Sequence, residues 1–275
     1  MKLYYRISDK SYEKPKLAGA TKEVCLMNFL SVFSVPIFQK DDCNLTIVAD
    51  RCERKTMKML NETGLKIVMT DKGNAGSFLA ALEIALENND DEFVYFCEDD
   101  YLHKHNSYEL LNEIYKRVDY VTLYDHPDKY TRYYNGGEHS KVIKTNSSHW
   151  RFTASTCMTF GAKVKTLRED KEVWHAHTNN NHPWDHKIFT DLAKKNRKLA
   201  VSIPGAACHT DLTFSGMIGK TLIEPWAIEM MISRLEDEIK LMSPDISDLK
   251  SNKTGWDKLI LLDAIMFDLK KKAVV

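Results

Sequence analysis

The chain has 275 residues, 43% of them apolar, which is enough for one large domain with a filled core. Its formal net charge is +0, so it lacks the broad basic surface of a nucleic-acid binder, and any anion must be held by local groups. The cysteines are scattered without Cys-x-x-Cys spacing, the N-terminus turns polar at once, and no run of about 18 uncharged apolar residues occurs. A soluble, cytoplasmic protein with reduced thiols is expected.

In chain order, short β-rich runs at Leu3 to Ile7, Leu45 to Ala49, Leu65 to Met69, Phe93 to Cys97 and Tyr120 to Tyr124 alternate with helical patterns. The helices are expected at Thr21 to Phe33, Glu53 to Asn61, Ser77 to Glu87 and Ser107 to Val118. This alternation predicts an α/β fold, a sheet flanked by helices. In the third helix Phe78, Leu82, Ala85 and Leu86 share one face, as packing on a sheet requires. From about Tyr130 the texture turns aromatic and polar around Gly136-Gly137, which predicts hairpins or loops over the carboxyl edge of the sheet. Pro183 opens a helix reaching about Asn196, Leu199 to Ile203 forms another strand, and amphipathic helices at Leu222 to Met242 and Trp256 to Lys271 close the chain. On the last of these, Asp257, Asp263 and Asp268 oppose anionic lipid, so packing on the main domain is expected over membrane contact.

The chemistry concentrates after the fourth strand. Phe93 to Cys97 is apolar on both faces, so the strand is central, and Glu98-Asp99-Asp100 follow it directly. Carboxyl ends of strands are where open α/β sheets bind ligands. Crowded carboxylates repel unless a cation neutralises them, and Mg²⁺ or Mn²⁺ suits such a set while leaving positions for phosphate oxygens. Asp50 ends the second strand, as a ligand contact or as a cap for the next helix. Thr70 to Ser77, with Gly73 and Gly76, joins the third strand to its helix and allows close backbone approach to a ligand.

These motifs, in this order, resemble glycosyltransferases of the GT-A fold, particularly family-2-like enzymes: Asp50 after strand two, Asn74-x-Gly76 before a helix, and the acid cluster written Glu98-Asp99-Asp100, with Glu98 where the family has Asp. The resemblance spans roughly residues 1 to 215. It implies a GT-A catalytic domain over 1–221, with 1–125 binding the nucleotide sugar and 126–221 the acceptor, and a helical extension over 222–275. It also implies transfer of a sugar from a nucleoside diphosphate donor, UDP favoured, to a hydroxyl of a glycan or other acceptor, with inversion as the expected outcome of direct displacement. Asp100, with Glu98 and His209, would hold the Mn²⁺ or Mg²⁺ ion, and Asp99 would serve the donor sugar. Asp185, in His182-Pro183-Trp184-Asp185, would be the base.

Position alone adds Arg6 and Ser8, which close the first strand near the nucleotide, and Lys220, in a glycine-bearing loop able to close over the diphosphate. Tyr124, Tyr130, Tyr133, Tyr134, Trp150, Phe152 and Trp174 supply rings, two or three of which are expected to line the acceptor pocket. Three rival functions remain. His175, His177, His182 and His186 have spacings that suit a zinc hydrolase, a nucleotidyltransferase would share the strand-end acids, and a carbohydrate-binding module would keep only the aromatics.

Overall fold

The computed structural model describes residues 1–11, 16–33, 44–130, 139–211 and 225–243, with a few positions between 258 and 269. Lys220 and its loop, Cys43, Tyr133, Tyr134 and the Gly136-Gly137 turn lie outside the described residues.

The first half alternates as expected: β1 (Lys2–Ser8), α1 (Lys22–Val32), β2 (Leu45–Asp50), α2 (Arg54–Glu62), β3 (Lys66–Thr70), α3 (Gly73–Leu86) and β4 (Phe93–Glu98). Then come β5 (Tyr101–His103), α4 (Ser107–Ile114), β6 (Tyr120–Thr122), β7 (Val142–Lys144), β8 (His149–Thr153) and β9 (Phe160–Lys163). The chain continues through α5 (Val164–Glu169), α6 (Lys171–Ala176), β10 (Thr178–Asn179), β11 (His182–Pro183), α7 (Asp185–Lys194), β12 (Leu199–Ile203), β13 (Ala207–His209) and α8 (Pro225–Met242).

The main sheet runs β3-β2-β1-β4-β9-β6-β12-β8-β7. Strands β3, β2, β1 and β4 are mutually parallel, while β9 lies antiparallel between β4 and β6. The fold is therefore α/β, with a mixed sheet flanked by helices. Strand alternation sorts the core: Leu3, Tyr5 and Ile7 join Phe29 of α1 and Leu111 of α4 on one face. On the other face Tyr4, Val94 and Phe96 join Phe78 and Leu82 of α3 with Phe189 of α7. Burial on both faces explains why β4 reads as an unbroken apolar run. There, Trp174 stacks on Phe160 with ring centroids 4.9 Å apart.

Several boundaries differ from expectation. Residues 142–163 do not lie as hairpins over the edge; β7, β8 and β9 enter the main sheet, because Trp150 and Phe160 are large apolar side chains that the sheet faces bury completely. Pro183 does not open a helix: it pairs in β11 with Thr178 of β10, and α7 starts at Asp185. Helix α3 starts earlier than its apolar pattern suggests, at Gly73, whose positive φ of 71° makes the turn out of β3.

A third apolar cluster joins α8, through Met231, Ile232 and Leu235, to Leu17, Cys25, Leu102 and Cys208, and it includes Leu262 and Met266 of the final segment. No described helix is long and apolar enough to cross a membrane. Cys25, Cys52, Cys97, Cys157 and Cys208 are free thiols.

Candidate active site

The parallel pairing of β1 with β4 sets Arg6 directly opposite Glu98. Beyond β4 the chain turns at Asp99-Asp100 into β5, and β5 pairs antiparallel with β13 so that Tyr101 faces His209. Both the backbone N–H and the hydroxyl of Thr210 donate to the Asp100 carbonyl, at 2.8 and 3.0 Å. This small ladder brings two residues more than a hundred positions apart side by side. His209 Nε2 lies 3.2 Å from Asp100 Oδ2, and the imidazole stacks on Tyr101 with centroids 4.8 Å apart.

The three consecutive carboxylates go to different partners. Glu98 faces Arg6 at 3.5 Å. Asp99 accepts from the Ser8 N–H at 3.2 Å and pairs with Lys22 at 3.0 Å. Asp100 faces His209 and, at 3.9 Å, the Lys16 ammonium. Burial and the nearby Asp100 charge push the Glu98 carboxyl up to about 7, outweighing the pull of Arg6. Burial likewise raises Asp99, reinforced by Asp100 and opposed by Lys22.

Arg6 is buried, and one of its terminal nitrogens donates to the Asn74 carbonyl (2.9 Å), Asn74 Oδ1 (2.6 Å) and Ser77 Oγ (3.2 Å). It thereby ties the start of α3 to the acid row. Asp50 is spent differently: Oδ1 accepts from the Thr70 hydroxyl and the backbone N–H groups of Lys72 and Gly73. It fastens β2 to the turn before α3 and does not cap α2, whose Glu53 N–H goes to Asp9. A Cβ at Gly76 would lie 2.3 Å from Lys72 Cβ, so this glycine accommodates the helix turn itself.

One cleft of about 570 Å³ at the carboxyl ends of β1 and β4 is lined by Arg6, Ser8, Asn74, the three acids, His209 and Asp185. Asp50 and Gly76 are not in its wall. Asp185 is the first residue of α7, where an acid favours the helix dipole, and its Oδ1 accepts from the His186 N–H at 2.7 Å. Burial raises its carboxyl, opposed by that bond and by His182, His186 and His126.

The cleft also includes Lys16, His126, Cys157 and Asn181, none of which sequence reasoning had singled out. Asn180 and Asn181, both with positive φ, form the tip of the β10–β11 hairpin. The run Asn179-Asn180-Asn181 was the available signal for that turn. For Lys16 there was no local signal, since its neighbours are brought to it by β13.

The histidine cluster that the rival zinc hydrolase would need does not assemble. His175 pairs with Glu83 and His177 with Asp191, while His182 packs edge-on against Trp184. Among the described residues no group of three or more His, Cys, Asp or Glu is placed to hold a metal. That applies to Glu98, Asp100 and His209 too: Asp100 and His209 form a pair, with Glu98 turned to Arg6. Of the expected acceptor aromatics, Trp150 and Trp174 are core residues, and the Tyr130 ring lies 4.7 Å from the Arg151 guanidinium. Tyr124 does approach the site, edge-on to Tyr101 and His209.

No protein-family model matches the chain, and no curated protein matches it. Among solved structures it is similar to S. aureus TarS residues 1–349 (TM-score 0.47, 13% identity, covering 98% of this chain and 71% of that one). It is also similar to a nucleotidyl transferase from Methanothermobacter (TM-score 0.43, 10% identity, 73% of this chain and 87% of that one). A third is the galactosyltransferase LgtC in complex with donor and acceptor sugar analogs (TM-score 0.43, 9% identity, 73% of each chain).

Proposed function

We propose that this protein is a metal-dependent glycosyltransferase that moves a sugar from a nucleoside diphosphate donor, UDP favoured, to a hydroxyl of a glycan or other acceptor. The observation that supports it best is the convergence of the strand-end acids, His209 and Asp185 on one cleft at the carboxyl ends of parallel strands.

Asp100 and His209 fit a hard divalent ion as a two-ligand site. A carboxylate oxygen and an imidazole nitrogen sit 3.2 Å apart in the cleft wall, leaving further positions to phosphate oxygens and water. The imidazole in this pair suits Mn²⁺ better than Mg²⁺, which demands oxygen. When bound, such an ion supplies charge stabilisation to the departing diphosphate.

The chain's own groups carry the remaining work. Arg6, Asn74, Ser8 and Asp99 line the part of the cleft that would take the nucleotide sugar. Glu98, paired to Arg6, keeps that guanidinium in place and is in this reading a positioning residue. The acceptor oxygen attacks the anomeric carbon, the bond from that carbon to the diphosphate oxygen breaks, and Asp185 takes the hydroxyl proton. Direct displacement of this kind inverts the anomeric centre. Residues 1–125 would hold the donor and 126–221 the acceptor, with 222–275 appended to them.

The test is thermal stabilisation by UDP, GDP, CMP and dTDP compounds with and without Mn²⁺. One nucleoside diphosphate should stabilise the protein only with metal, and the effect should vanish in Asp100→Ala. No response to any of them would overturn the reading. Release of a nucleoside diphosphate, rather than formation of a sugar nucleotide with pyrophosphate, separates the transferase from a nucleotidyltransferase.

A further inference from the structure

The cationic side chains in and beside the cleft differ in how they are held. Lys22 is committed to Asp99 and Asp9, at 3.0 and 3.3 Å, and to the Ser8 carbonyl. Lys10 pairs with Glu53 at 2.7 Å, and Arg6 is buried among its acceptors. Lys16 is different. Its backbone is fixed, bridged to Asp211 and followed by a bond from Leu17 N–H to the Thr210 carbonyl at 2.8 Å. Its ammonium nevertheless lies 3.9 Å from Asp100 Oδ2, too long for a hydrogen bond, with 27% of the side chain exposed.

Lys16 and His209 therefore approach the same carboxylate oxygen, His209 at 3.2 Å and Lys16 at 3.9 Å. Lys16 and the His209 imidazole cannot both stay the principal partner of one carboxylate oxygen when a divalent ion competes for it. A lysine on a pinned backbone with a flexible four-carbon stem can change partners without moving the chain.

We propose that Lys16 is a switchable counter-ion: it neutralises Asp100 in the metal-free protein and turns onto the donor's diphosphate oxygens when Asp100 is taken by a divalent ion. The second half of this role rests on the glycosyltransferase reading, and the first half does not. In the metal-free protein Lys16 stabilises the crowded acids and competes with metal. In the loaded site its charge is released to a leaving group that carries phosphate oxygens, where an ammonium is an effective point-charge partner.

The experiment is a calorimetric titration of Mn²⁺ alone, then of UDP at saturating Mn²⁺, for the wild type, Lys16→Met and Lys16→Arg, each checked for an unchanged unfolding midpoint. Lys16→Met is expected to bind Mn²⁺ about 3- to 10-fold more tightly, since a partly exposed ion pair is lost as a competitor. The same variant should bind UDP at least about 10-fold more weakly, since a charge-assisted contact is lost. Lys16→Arg should keep both wild-type values within about threefold, because the charge remains. Opposite shifts for two ligands are not what a structural role would produce. Shifts in the same direction, or none, in a wild type that binds both ligands would overturn the Lys16 assignment alone. A wild type that binds Mn²⁺ but no nucleoside diphosphate would overturn the transferase reading and the diphosphate half of the role, while the Mn²⁺ titration would still decide the competition with Asp100.

Discussion

His103 offers a test of how the structure handles a buried base. Its side chain is 1% exposed and lies edge-on to Phe29, Phe33 and Tyr95, with Nε2 2.9 Å from the Tyr95 hydroxyl. Nδ1 has no hydrogen-bond partner among the described residues. Burial pushes the imidazole from 6.5 down to about 3, so it stays neutral in the fold while the unfolded chain protonates it. The folded value lies below the unfolded one. The penalty is therefore absent above about pH 6.5, grows as pH falls, and levels off near pH 3, with a slope of about 1.4 kcal/mol per pH unit in between. By pH 5 the wild type loses about 2 kcal/mol relative to pH 8 from this group alone. Carboxyls with raised values, Glu98 among them, act in the opposite direction, so the comparison must be with a variant. In His103→Leu the Tyr95 hydroxyl loses its partner, a pH-independent cost of about 1 to 3 kcal/mol, but the pH-dependent penalty is gone. Urea denaturation at pH 8, 6.5 and 5 should show the wild type's advantage shrinking by about 2 kcal/mol across that range. A gap that stays constant within a few tenths would mean that His103 is charged in the fold or reaches water, and the reasoning would fail.

Four other outcomes follow from the geometry. Asp185→Asn should abolish transfer and leave UDP binding intact, and because burial raises the Asp185 carboxyl, wild-type kcat should fall on acidification above the ordinary carboxylate range; an acid limb at or below about pH 4 would contradict this. Asp100→Ala should remove the Mn²⁺-dependent stabilisation by UDP, measured as the shift in unfolding midpoint. Gly73→Ala should cost about 1 to 3 kcal/mol in urea, from a positive φ and a Cβ 2.1 Å from Asn181 Oδ1; adding Asn181→Gly should recover the clash but not the backbone strain. Asp170 is fully buried and holds Arg197, Lys195 and the Tyr120 hydroxyl, so Asp170→Ala should cost about 1 to 3 kcal/mol, chiefly from the buried Tyr120 hydroxyl left without its acceptor, since Arg197 keeps Glu169 and Asp119 and Lys195 reaches solvent.

The α/β architecture was legible because β1, β2 and β4 are apolar on both faces and are separated by helical patterns, a signal carried by neighbouring residues. The strands β7 to β9 were not legible. They are short, and what draws them into the sheet is burial of Trp150 and Phe160 against partners distant in sequence. Asp50 shows a related limit. Its place at the end of β2 was readable, but its three hydrogen bonds to Thr70, Lys72 and Gly73 depend on the parallel register of β2 with β3. Asp185 was expected inside a helix opened by Pro183 and instead begins it, because the Pro183 signal for a helix start was overridden by pairing in a hairpin whose tip packs on Gly73.

The acid row shows how a motif of like residues acquires unlike roles. An extended or turning backbone sends successive side chains to different sides, so neighbours in the row Glu98, Asp99 and Asp100 meet different partners. Each meets what the sheet places there: Arg6 from β1 for Glu98, Lys22 from α1 for Asp99, and His209 from β13 for Asp100. Two of the three are thereby tied to the fold's own cations. Asp100 instead lies beside an imidazole at 3.2 Å and a lysine at 3.9 Å, which is why the proposed exchange of a protein partner for a cation from solution is assigned to it.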